Sequence, residues 1–363
     1  MTQFAADPAA PRPQSSADAL PPGFLTVVLP ALDEERYLER CVRSLLDDPF
    51  PRDRIEIFIV DGGSRDRTVA IARTLAAEFP ALRVLHNPRR LQAAGFNLAL
   101  AAADPRADYI MRCDVHAEYP PGFLSRAVAA LEGSGAALAA YGDAPKAQSC
   151  FQAAVAFAQN TRLGVGNAWY RLGGRSRFVD HGKHGCFRRP AVEAIGGYDE
   201  TFSHNEDSEL SLRLAAAGGT IWLDAGLTVF YYPRPTPQAL ARQYFLYGRG
   251  RAQTVLKHRI QPRLRQLAPA LLVLAEAAGL AAAPAVPVLR LAALGSAALY
   301  GAALAAVALY GAARSRAPCL LLAPVALAIM HHAWGAGFLC RLAAAALRPP
   351  RRHEAMETGP ARY

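Results

Sequence analysis

The last third of the chain most restricts how this protein can fold. Three stretches there, residues 267–289, 291–313 and 317–340, are almost free of charged side chains. Each is close to the roughly 20 residues that an apolar helix needs to cross a bilayer. The sequence therefore predicts a membrane region of two to three apolar helices over residues 259–345. The alternative is an alanine-rich soluble bundle, because alanine is only weakly membrane-seeking and Glu276 interrupts the first stretch.

A basic segment directly precedes these apolar stretches. The chain has a formal net charge of +10, and residues 242–265 contain no acidic side chain, only the cations Arg242, Arg249, Arg251, Lys257, Arg259, Arg263 and Arg265. A basic belt beside apolar spans is typical of the cytoplasmic edge of a membrane protein. The charge therefore predicts contact with anionic lipid, and no nucleic-acid partner is expected.

Basic residues also flank the third apolar stretch. Arg314 and Arg316 precede it, and a second cluster follows it, made of Arg341, Arg348, Arg351 and Arg352. If the third stretch crosses the membrane, these two clusters lie on opposite sides. Either one cluster faces outward, or one segment is re-entrant or interfacial.

The ends of the chain and its cysteines support a cytoplasmic catalytic domain. Residues 1–22 are rich in Ala, Pro and Ser, without a signal-peptide core, and predict a disordered leader. Residues 346–363 predict a basic, disordered tail. The cysteines show no Cys-x-x-Cys spacing, so all are expected to be reduced and to serve in packing: Cys41, Cys113, Cys150, Cys186, Cys319 and Cys340.

Residues 23–258 alternate between short β-branched runs and amphipathic helical segments. This pattern predicts an α/β domain with a Rossmann-like, mainly parallel sheet, whose ligands bind at the carboxyl ends of the strands. Four predicted strand ends are polar: "LPALDEE", "VDGGSRDRT", "HNPRRLQAAGFN" and the pair Asp114 and His116. No phosphate-loop motif and no Gly-x-Gly-x-x-Gly fingerprint occurs, which excludes the usual ATPase and dinucleotide dehydrogenase classes.

The residues at these strand ends leave two interpretations open when taken alone. Asp114 and His116 are either a metal or phosphate site or an ordinary polar strand end, and Asp61 begins an Asp-Gly-Gly-Ser segment that is also a common turn. Asp207 stands in the first turn of a predicted helix, where the helix dipole alone favours an acid by roughly 0.3–1 kcal/mol.

In order along the chain, five segments resemble a family 2 glycosyltransferase of the GT-A fold: "VVLPALDEERYLERCVRSLL", "VDGGSRDRT", Asp-x-His in place of Asp-x-Asp, "GGYDETFSHNEDSELSLRLAAAG" and "QYFLYGRGR". The likeness covers about residues 24–257 and is greatest to the membrane-bound bacterial enzymes of succinoglycan-type exopolysaccharide synthesis. It implies an inverting, metal-dependent hexosyl transfer from a nucleotide-sugar, usually a UDP-sugar, to a polyprenyl-linked saccharide. The expected location is the bacterial inner (plasma) membrane.

The resemblance also implies roles for particular residues. Asp207 is the expected general base, and Asp114 and His116 are the expected ligands of Mn²⁺ or Mg²⁺. Because His116 replaces the usual second Asp, manganese is expected to be preferred. Asp61 is expected to meet the uracil, within a nucleotide-sugar site made of Pro30, Asp33, Glu34, Asp61, Gly63, Arg90, Asn97, Arg112, Asp114, Arg234, Gln243, Arg249 and Arg251. The expected acceptor side comprises Glu206, His181, His184 and Trp169.

Two other classes of protein remain as alternatives. A nucleotidyltransferase uses a similar sheet and metal but does not need an acid at the position of Asp207. A non-catalytic, nucleotide-binding membrane scaffold would retain the pocket without turnover. Released UDP would indicate glycosyl transfer, whereas released pyrophosphate would indicate nucleotidyl transfer.

Overall fold

A computed structural model describes residues 23–165, 175–183, 185–282 and 286–347. Its first part alternates strands and helices as predicted. The elements are β1 (Phe24–Ala31), α1 (Leu38–Leu46), a short 3-10 turn (Arg52–Arg54), β2 (Ile55–Asp61), α2 (Thr68–Glu78), β3 (Leu82–His86), α3 (Gln92–Ala102) and β4 (Ala107–Arg112).

The second part of the catalytic half mixes short strands with helices. Its elements are β5 (Ala117–Glu118), α4 (Phe123–Ser134), β6 (Leu138–Pro145), α5 (Cys150–Gln159), α6 (Arg162–Val165), β7 (Arg177–Val179), β8 (Gly185–Arg188), α7 (Arg189–Ala194), α8 (Glu206–Ala216), β9 (Ile221–Tyr231) and α9 (Pro237–His258).

These strands form one mixed sheet in the order β3-β2-β1-β4-β8-β6-β9-β5, with β7 paired to β9. The strands β3, β2, β1 and β4 are parallel, which confirms the predicted parallel core. β8 lies antiparallel between β4 and β6, a feature that the local pattern does not predict. Because β1, β2 and β4 run in the same direction, the polar segments that follow them meet at one edge of the sheet.

Apolar side chains cover the sheet on both faces. One buried cluster joins the strands to α1, α2 and α4, including Leu38, Leu75 and Leu131. The other joins them to α3, α7 and α8, including Phe96 and Leu210. Strands covered on both sides read as continuous apolar runs, which is why β1 and β2 were recognisable in the sequence.

The apolar tail forms the helices α10 (Leu264–Ala282), α11 (Pro287–Ser315) and α12 (Ala323–Ala346), with a 3-10 turn (Pro318–Leu322) before the last. All three are long and apolar enough, by length and composition, to cross a membrane. The prediction of a helical tail is confirmed, and its helices match the three apolar stretches of the sequence.

α12 packs closely against α9 of the catalytic domain. A Cβ atom on Gly337 would lie 2.0 Å from the carbonyl oxygen of Phe245, and one on Gly248 would lie 2.0 Å from that of Trp334. Real Cβ contacts essentially never fall under 3.0 Å. Glycine at these two positions is therefore what allows the two helix backbones to approach each other.

The prediction that all the cysteines are reduced is wrong for one pair. Cys150, at the start of α5, forms a disulfide with Cys319 in the 3-10 turn before α12, with a Cα–Cα distance of 4.8 Å. The partners are 169 residues apart, so no local spacing could reveal them. Cys41, Cys113 and Cys186 are free and buried, as expected.

Candidate active site

The loops after β1 and β2 are held together by side-chain hydrogen bonds. The carboxylate of Asp61 accepts the backbone N–H groups of Gly63 at 2.9 Å and of Ser64 at 3.2 Å. Gly63 has a φ of +82°, which glycine adopts without steric cost. Asp61 therefore shapes the turn after β2, and its predicted contact with the uracil stays a prediction.

The acidic segment after β1 is fixed by the same loop. The N–H of Asp33 donates to Ser64 Oγ at 2.9 Å, and Asp33 Oδ1 accepts the N–H of Arg65 at 2.7 Å. The N–H of Glu34 donates to Thr68 Oγ1 at 2.7 Å. These bonds join the segments that follow β1 and β2 into one continuous edge of the site, called the rim below. The Glu34 side chain is directed toward the end of β4.

Asp114 and His116 follow β4 at this rim. Nδ1 of His116 lies 3.2 Å from Oε1 of Glu34. Asp114 is 3.8 Å from Nη2 of Arg112 and 3.9 Å from Nζ of Lys183. Burial lowers the pKa of His116, but the hydrogen bond to Glu34 and the nearby charges of Asp114 and Glu34 outweigh it, so the pKa is raised.

The donor set suits a divalent cation that is shared with a ligand. In the part of the chain that the structure describes, no group of three or more His, Cys, Asp or Glu side chains is placed to hold a metal ion. A carboxylate and an imidazole are both ordinary ligands of Mn²⁺, and two protein ligands leave positions for diphosphate oxygens and water. Asp114 and His116 therefore fit a cation that binds together with a nucleotide diphosphate.

Arg112, the last residue of β4, is buried and links both ends of the site. Its Nη1 donates to Glu206 Oε1 and to Asp207 Oδ1, each at 3.1 Å, and Nη2 donates to Gln92 Oε1 at 2.7 Å. Burial raises the pKa of Glu206 to about 7, opposed by the charge of Arg112 and assisted by that of Asp207. Arg112 thus supplies one positive charge that two adjacent acids in the first turn of α8 share.

Tyr198 is a second donor to Asp207. Its hydroxyl donates to Asp207 Oδ1 at 2.7 Å, and its ring packs edge-on against Phe96 with centroids 4.9 Å apart. The guanidinium of Arg112 stacks over the Tyr198 ring at 5.5 Å. Neither Tyr198 nor Gln92 is among the predicted site residues, although Tyr198 belongs to the "GGYDE" segment that carries the resemblance.

Asn97 fixes the loop that carries Tyr198. Its amide nitrogen donates to the carbonyl of Tyr198 at 2.8 Å and to Glu200 at 2.9 Å, and its amide oxygen accepts the N–H of Tyr198 at 2.8 Å. Gly197, at a φ of +70°, gives Asn97 the space to do so. The structure shows a positioning contact for Asn97, and its predicted proximity to the donor sugar stays a prediction.

The predicted basic residues lie at different places around the site. Arg90 is exposed, with its guanidinium beside Gly63, so it borders the turn at Asp61. Burial lowers the pKa of His204, and the charges of Arg234, Arg242 and Arg249 lower it further. Pro30 lies in β1, paired with Val60 in β2.

The residues of the "QYFLYGRGR" segment have different hydrogen-bond partners. Gln243 donates to the hydroxyl of Tyr247 at 3.0 Å, along α9. Arg251 points away from Arg249, because two residues on a helix are about 200° apart, and its Nη2 donates to Gln266 at 3.2 Å. Their predicted place in the nucleotide-sugar site stays a prediction.

On the predicted acceptor side, His181 lies over α8. Its Nδ1 is 3.4 Å from Ser211 Oγ and its Nε2 is 3.4 Å from Ser208 Oγ. Burial lowers the pKa of His181, and the charge of Asp207 opposes this, so His181 is close to the predicted base. Trp169 and His184 lie outside the described residues. Lys183, which bonds Asp143 at 3.1 Å beside Asp114, is a further cation at the site.

Acids at the carboxyl edge of this mixed sheet, opposite a hydrogen-bonded carboxylate on α8, are suited to a transferase that binds a nucleotide-sugar and activates an acceptor. The model of the family described as Glycosyl transferase family 2 matches residues 26–152. Succinoglycan biosynthesis protein ExoA of Rhizobium meliloti (strain 1021) is 39% identical over 323 residues, covering 89% of this chain and 96% of that protein. The chain therefore belongs to glycosyl transferase family 2 and is a glycosyltransferase, as the sequence motifs predicted.

Two further comparisons agree with this assignment. A dolichyl N-acetyl-α-D-glucosaminyl phosphate 3-β-D-2,3-diacetamido-2,3-dideoxy-β-D-glucuronosyltransferase of Methanococcus voltae is 24% identical over 243 residues, covering 64% of this chain and 74% of that protein. The mannosyltransferase PcManGT of Pyrobaculum calidifontis, solved with GDP-Man and Mn²⁺, superposes with a TM-score of 0.56 at 20% identity, covering 85% of this chain and 87% of that one. The likeness to PcManGT establishes the fold.

Proposed function

We propose that the protein transfers a hexose from a UDP-sugar, with inversion, to a polyprenyl-linked saccharide at the cytoplasmic face of a bacterial plasma membrane, as a step in exopolysaccharide synthesis. One observation carries this proposal: buried Arg112 contacts the Asp114 side of the site at 3.8 Å and Asp207 at 3.1 Å. A single side chain thereby ties the expected diphosphate end of the site to the expected base.

Asp207 is suited to remove the proton of the acceptor hydroxyl. Its side chain is 16% exposed, so a substrate can reach it, and Arg112 and Tyr198 hold Oδ1 in one orientation. The neighbouring Glu206 is less suited, because its side chain is 8% exposed and bonded to Arg112. A positioned base of this kind supplies about 10² to 10⁴ in rate.

Asp114 and His116 would hold a divalent cation, which offsets the charge that the leaving diphosphate gains. Lys183, beside Asp114, adds positive charge at the same place. The PcManGT structure contains Mn²⁺ together with its nucleotide-sugar, which supports a cation in this fold. The imidazole of His116 favours manganese over magnesium.

A lipid-linked acceptor is supported by the tail and by the relatives. Three helices long and apolar enough to cross a membrane follow the catalytic domain directly. One relative is named for succinoglycan biosynthesis and another for transfer to a dolichyl phosphate-linked sugar. An enzyme anchored in this way meets its acceptor without extracting the lipid.

The test uses the purified full chain in detergent, with UDP-sugars, Mn²⁺ or Mg²⁺, and a bacterial lipid extract. UDP release that depends on metal and lipid is expected, and Asp207→Asn is expected to lower turnover by about 10² to 10⁴ with donor affinity retained. Asp224→Asn is the matched control. Asp224 has the same 16% exposure, but it lies on β9, outside the site, and pairs with Arg126 of α4.

Other outcomes of this experiment would favour one of the alternative functions. Pyrophosphate as the product would establish nucleotidyl transfer instead. Donor binding without turnover, over all acceptor fractions, would favour the non-catalytic scaffold. The anomeric configuration of the product, read by NMR, tests inversion, since a retained configuration contradicts a single displacement by an acceptor activated at Asp207.

A further inference from the structure

α12 lies alongside α9 over most of its length. Near its start, Leu327 and Met330 share a buried cluster with Leu240 and Tyr244 of α9. Farther along, Phe338 shares another cluster with Ala252 of α9 and Ala270 of α10. Between these points the paired glycines bring the two backbones together. Since the contacts extend over more than three turns, α12 lies at the same depth relative to the membrane as α9.

α9 is part of the water-facing catalytic domain. Arg242 and Arg249 on it are exposed, and Lys257 bonds Asp199 at 2.6 Å. Asn205, which directly precedes the helix of the predicted base, donates to Thr254 of α9 at 2.7 Å. Exposed arginines of this kind are costly in hydrocarbon, so neither α9 nor a helix packed along it is immersed in the bilayer core.

Polar groups at the middle of α12 agree with a shallow position. Nε2 of His331 donates to the carbonyl of Leu163, in α6 of the catalytic domain, at 2.9 Å, and Nδ1 lies 2.8 Å from the hydroxyl of Tyr300. His332 lies 2.8 Å from Glu276 of α10, with side-chain exposures of 39% and 32%. The partly exposed imidazole of His332 would lie near the bilayer midplane if α12 crossed it, which is costly for a polar group.

The exposed apolar side chains lie mainly on the other two helices. α10 and α11 carry Leu264, Leu271, Leu274, Leu280, Val288, Leu289, Leu291, Leu294, Leu299, Leu309 and Tyr310. Among the described residues of α12, Val325 is the one large apolar side chain that is exposed. A helix that crosses lipid shows apolar side chains on every free face, and α10 and α11 meet this requirement better than α12 does.

We propose that α12 does not cross the membrane, but lies on the phospholipid surface beside the catalytic domain, while the exposed apolar faces of α10 and α11 enter the lipid. Its far end then stays on the side of the catalytic domain. Arg341, near the end of α12, and the pair Arg314 and Arg316 before it face the same anionic leaflet, which resolves the conflict between the two basic clusters. This inference does not depend on which sugar is transferred.

Impermeant maleimide labelling of the full chain in its native membrane tests the proposal. The parent is Cys340→Ala, which removes the exposed free cysteine of the described residues, while the other free cysteines there are buried. Tyr363→Cys reports the end of the chain, and Glu193→Cys, at an exposed position of α7, reports the catalytic domain. The unsubstituted parent gives the background.

Both reporters are expected to label under the same condition, either in intact cells or only after permeabilisation. Labelling of the two on opposite sides would overturn the proposal. A second readout places alkaline phosphatase or green fluorescent protein after Tyr363. Fluorescence without phosphatase activity is expected if Glu193→Cys labels only after permeabilisation, and phosphatase activity without fluorescence in that case contradicts the proposal. UDP release plays no part in either readout, so failure here is distinct from failure of the proposed reaction.

Discussion

Oδ1 of Asp207 accepts the hydroxyl of Tyr198 at 2.7 Å, from a residue nine positions earlier in the chain. The same oxygen accepts Nη1 of Arg112 at 3.1 Å. Two donors from different elements fix the rotamer of a carboxylate that stands at the start of a helix. A base that must meet one acceptor hydroxyl benefits from this orientation, since misplacement by about 1 Å can cost 10²-fold in rate.

Tyr198→Phe is expected to lower kcat by about 10- to 100-fold with little change in the KM for the donor. A hydrogen bond to a charged group contributes about 1.5–3 kcal/mol, and 1.36 kcal/mol is tenfold in rate. Loss of a donor also raises the pKa of the base, so the acid limb of the kcat profile is expected to move to higher pH. A purely structural role for Tyr198 would leave that limb in place.

The matched control for this change is Tyr109→Phe. The hydroxyl of Tyr109 also donates to a carboxylate, that of Glu132 at 2.8 Å, but at the opposite end of β4 from the site. Equal kcat values for Tyr198→Phe and Tyr109→Phe would contradict the positioning role.

Local sequence patterns predicted the parts of the site that depend on one strand and its turn. Asp61, Asp114 and His116 stand where buried runs end, and parallel strands bring such ends to one edge. Contacts between distant segments were not readable. The bond from Arg112 to Asp207 spans 95 residues, and it exists because β8 inserts antiparallel beside β4 and returns the chain to α8.

Tyr198 and the disulfide were missed for the same reason, because both depend on contacts between distant segments. Tyr198 looks like one more core aromatic in sequence, since its ring is buried and its role comes from the hydroxyl alone. The disulfide between Cys150 and Cys319 joins a helix of the catalytic domain to the tail, and no spacing rule covers such a pair. The presence of apolar helices was predictable because length and hydropathy are local, although the sequence restricts their number only to two to three. The packing of α12 on α9 is not local, and the sequence does not show it.

Glu206 is expected to make stability depend on pH. Burial raises its pKa from 4.5 to about 7, so the folded protein binds the proton more tightly than the unfolded chain. This contribution to stability is full below about pH 4.5 and is lost as the pH rises through about 7. The amide of Glu206→Gln stays neutral at every pH. The free energy of unfolding of this variant is therefore expected to exceed that of the wild type by about 1–3 kcal/mol as the pH rises from 4.5 to 8.

Denaturant titrations in detergent at several pH values measure this difference. Glu193→Gln is the control, because Glu193 pairs with Arg189 on the exposed surface of α7. A difference between Glu206→Gln and the wild type that does not change with pH would show that Glu206 keeps an ordinary pKa in the folded protein.

His116→Asp is expected to shift metal preference from Mn²⁺ toward Mg²⁺. The change replaces an imidazole with a second carboxylate, and hard oxygen ligands suit magnesium better than nitrogen does. The measurement is the ratio of UDP-release rates at saturating Mn²⁺ and Mg²⁺. His116→Ala is the control and is expected to lower both rates, and an unchanged ratio in His116→Asp would place the cation away from His116.

Gly337→Ala is expected to loosen the attachment of the tail to the catalytic domain. The added methyl group would lie 2.0 Å from the carbonyl oxygen of Phe245, a backbone atom that cannot rotate away, so α9 and α12 must separate. Overpacking of this kind typically costs about 1–3 kcal/mol. Gly301→Ala in α11 is the matched control, because nothing lies within 4 Å of its added methyl group and alanine favours a helix. Thermal unfolding in detergent is expected to show a lower Tm for Gly337→Ala and an equal or higher Tm for Gly301→Ala. Equal melting of the two variants would mean that α12 does not pack on α9 as closely as this structure shows.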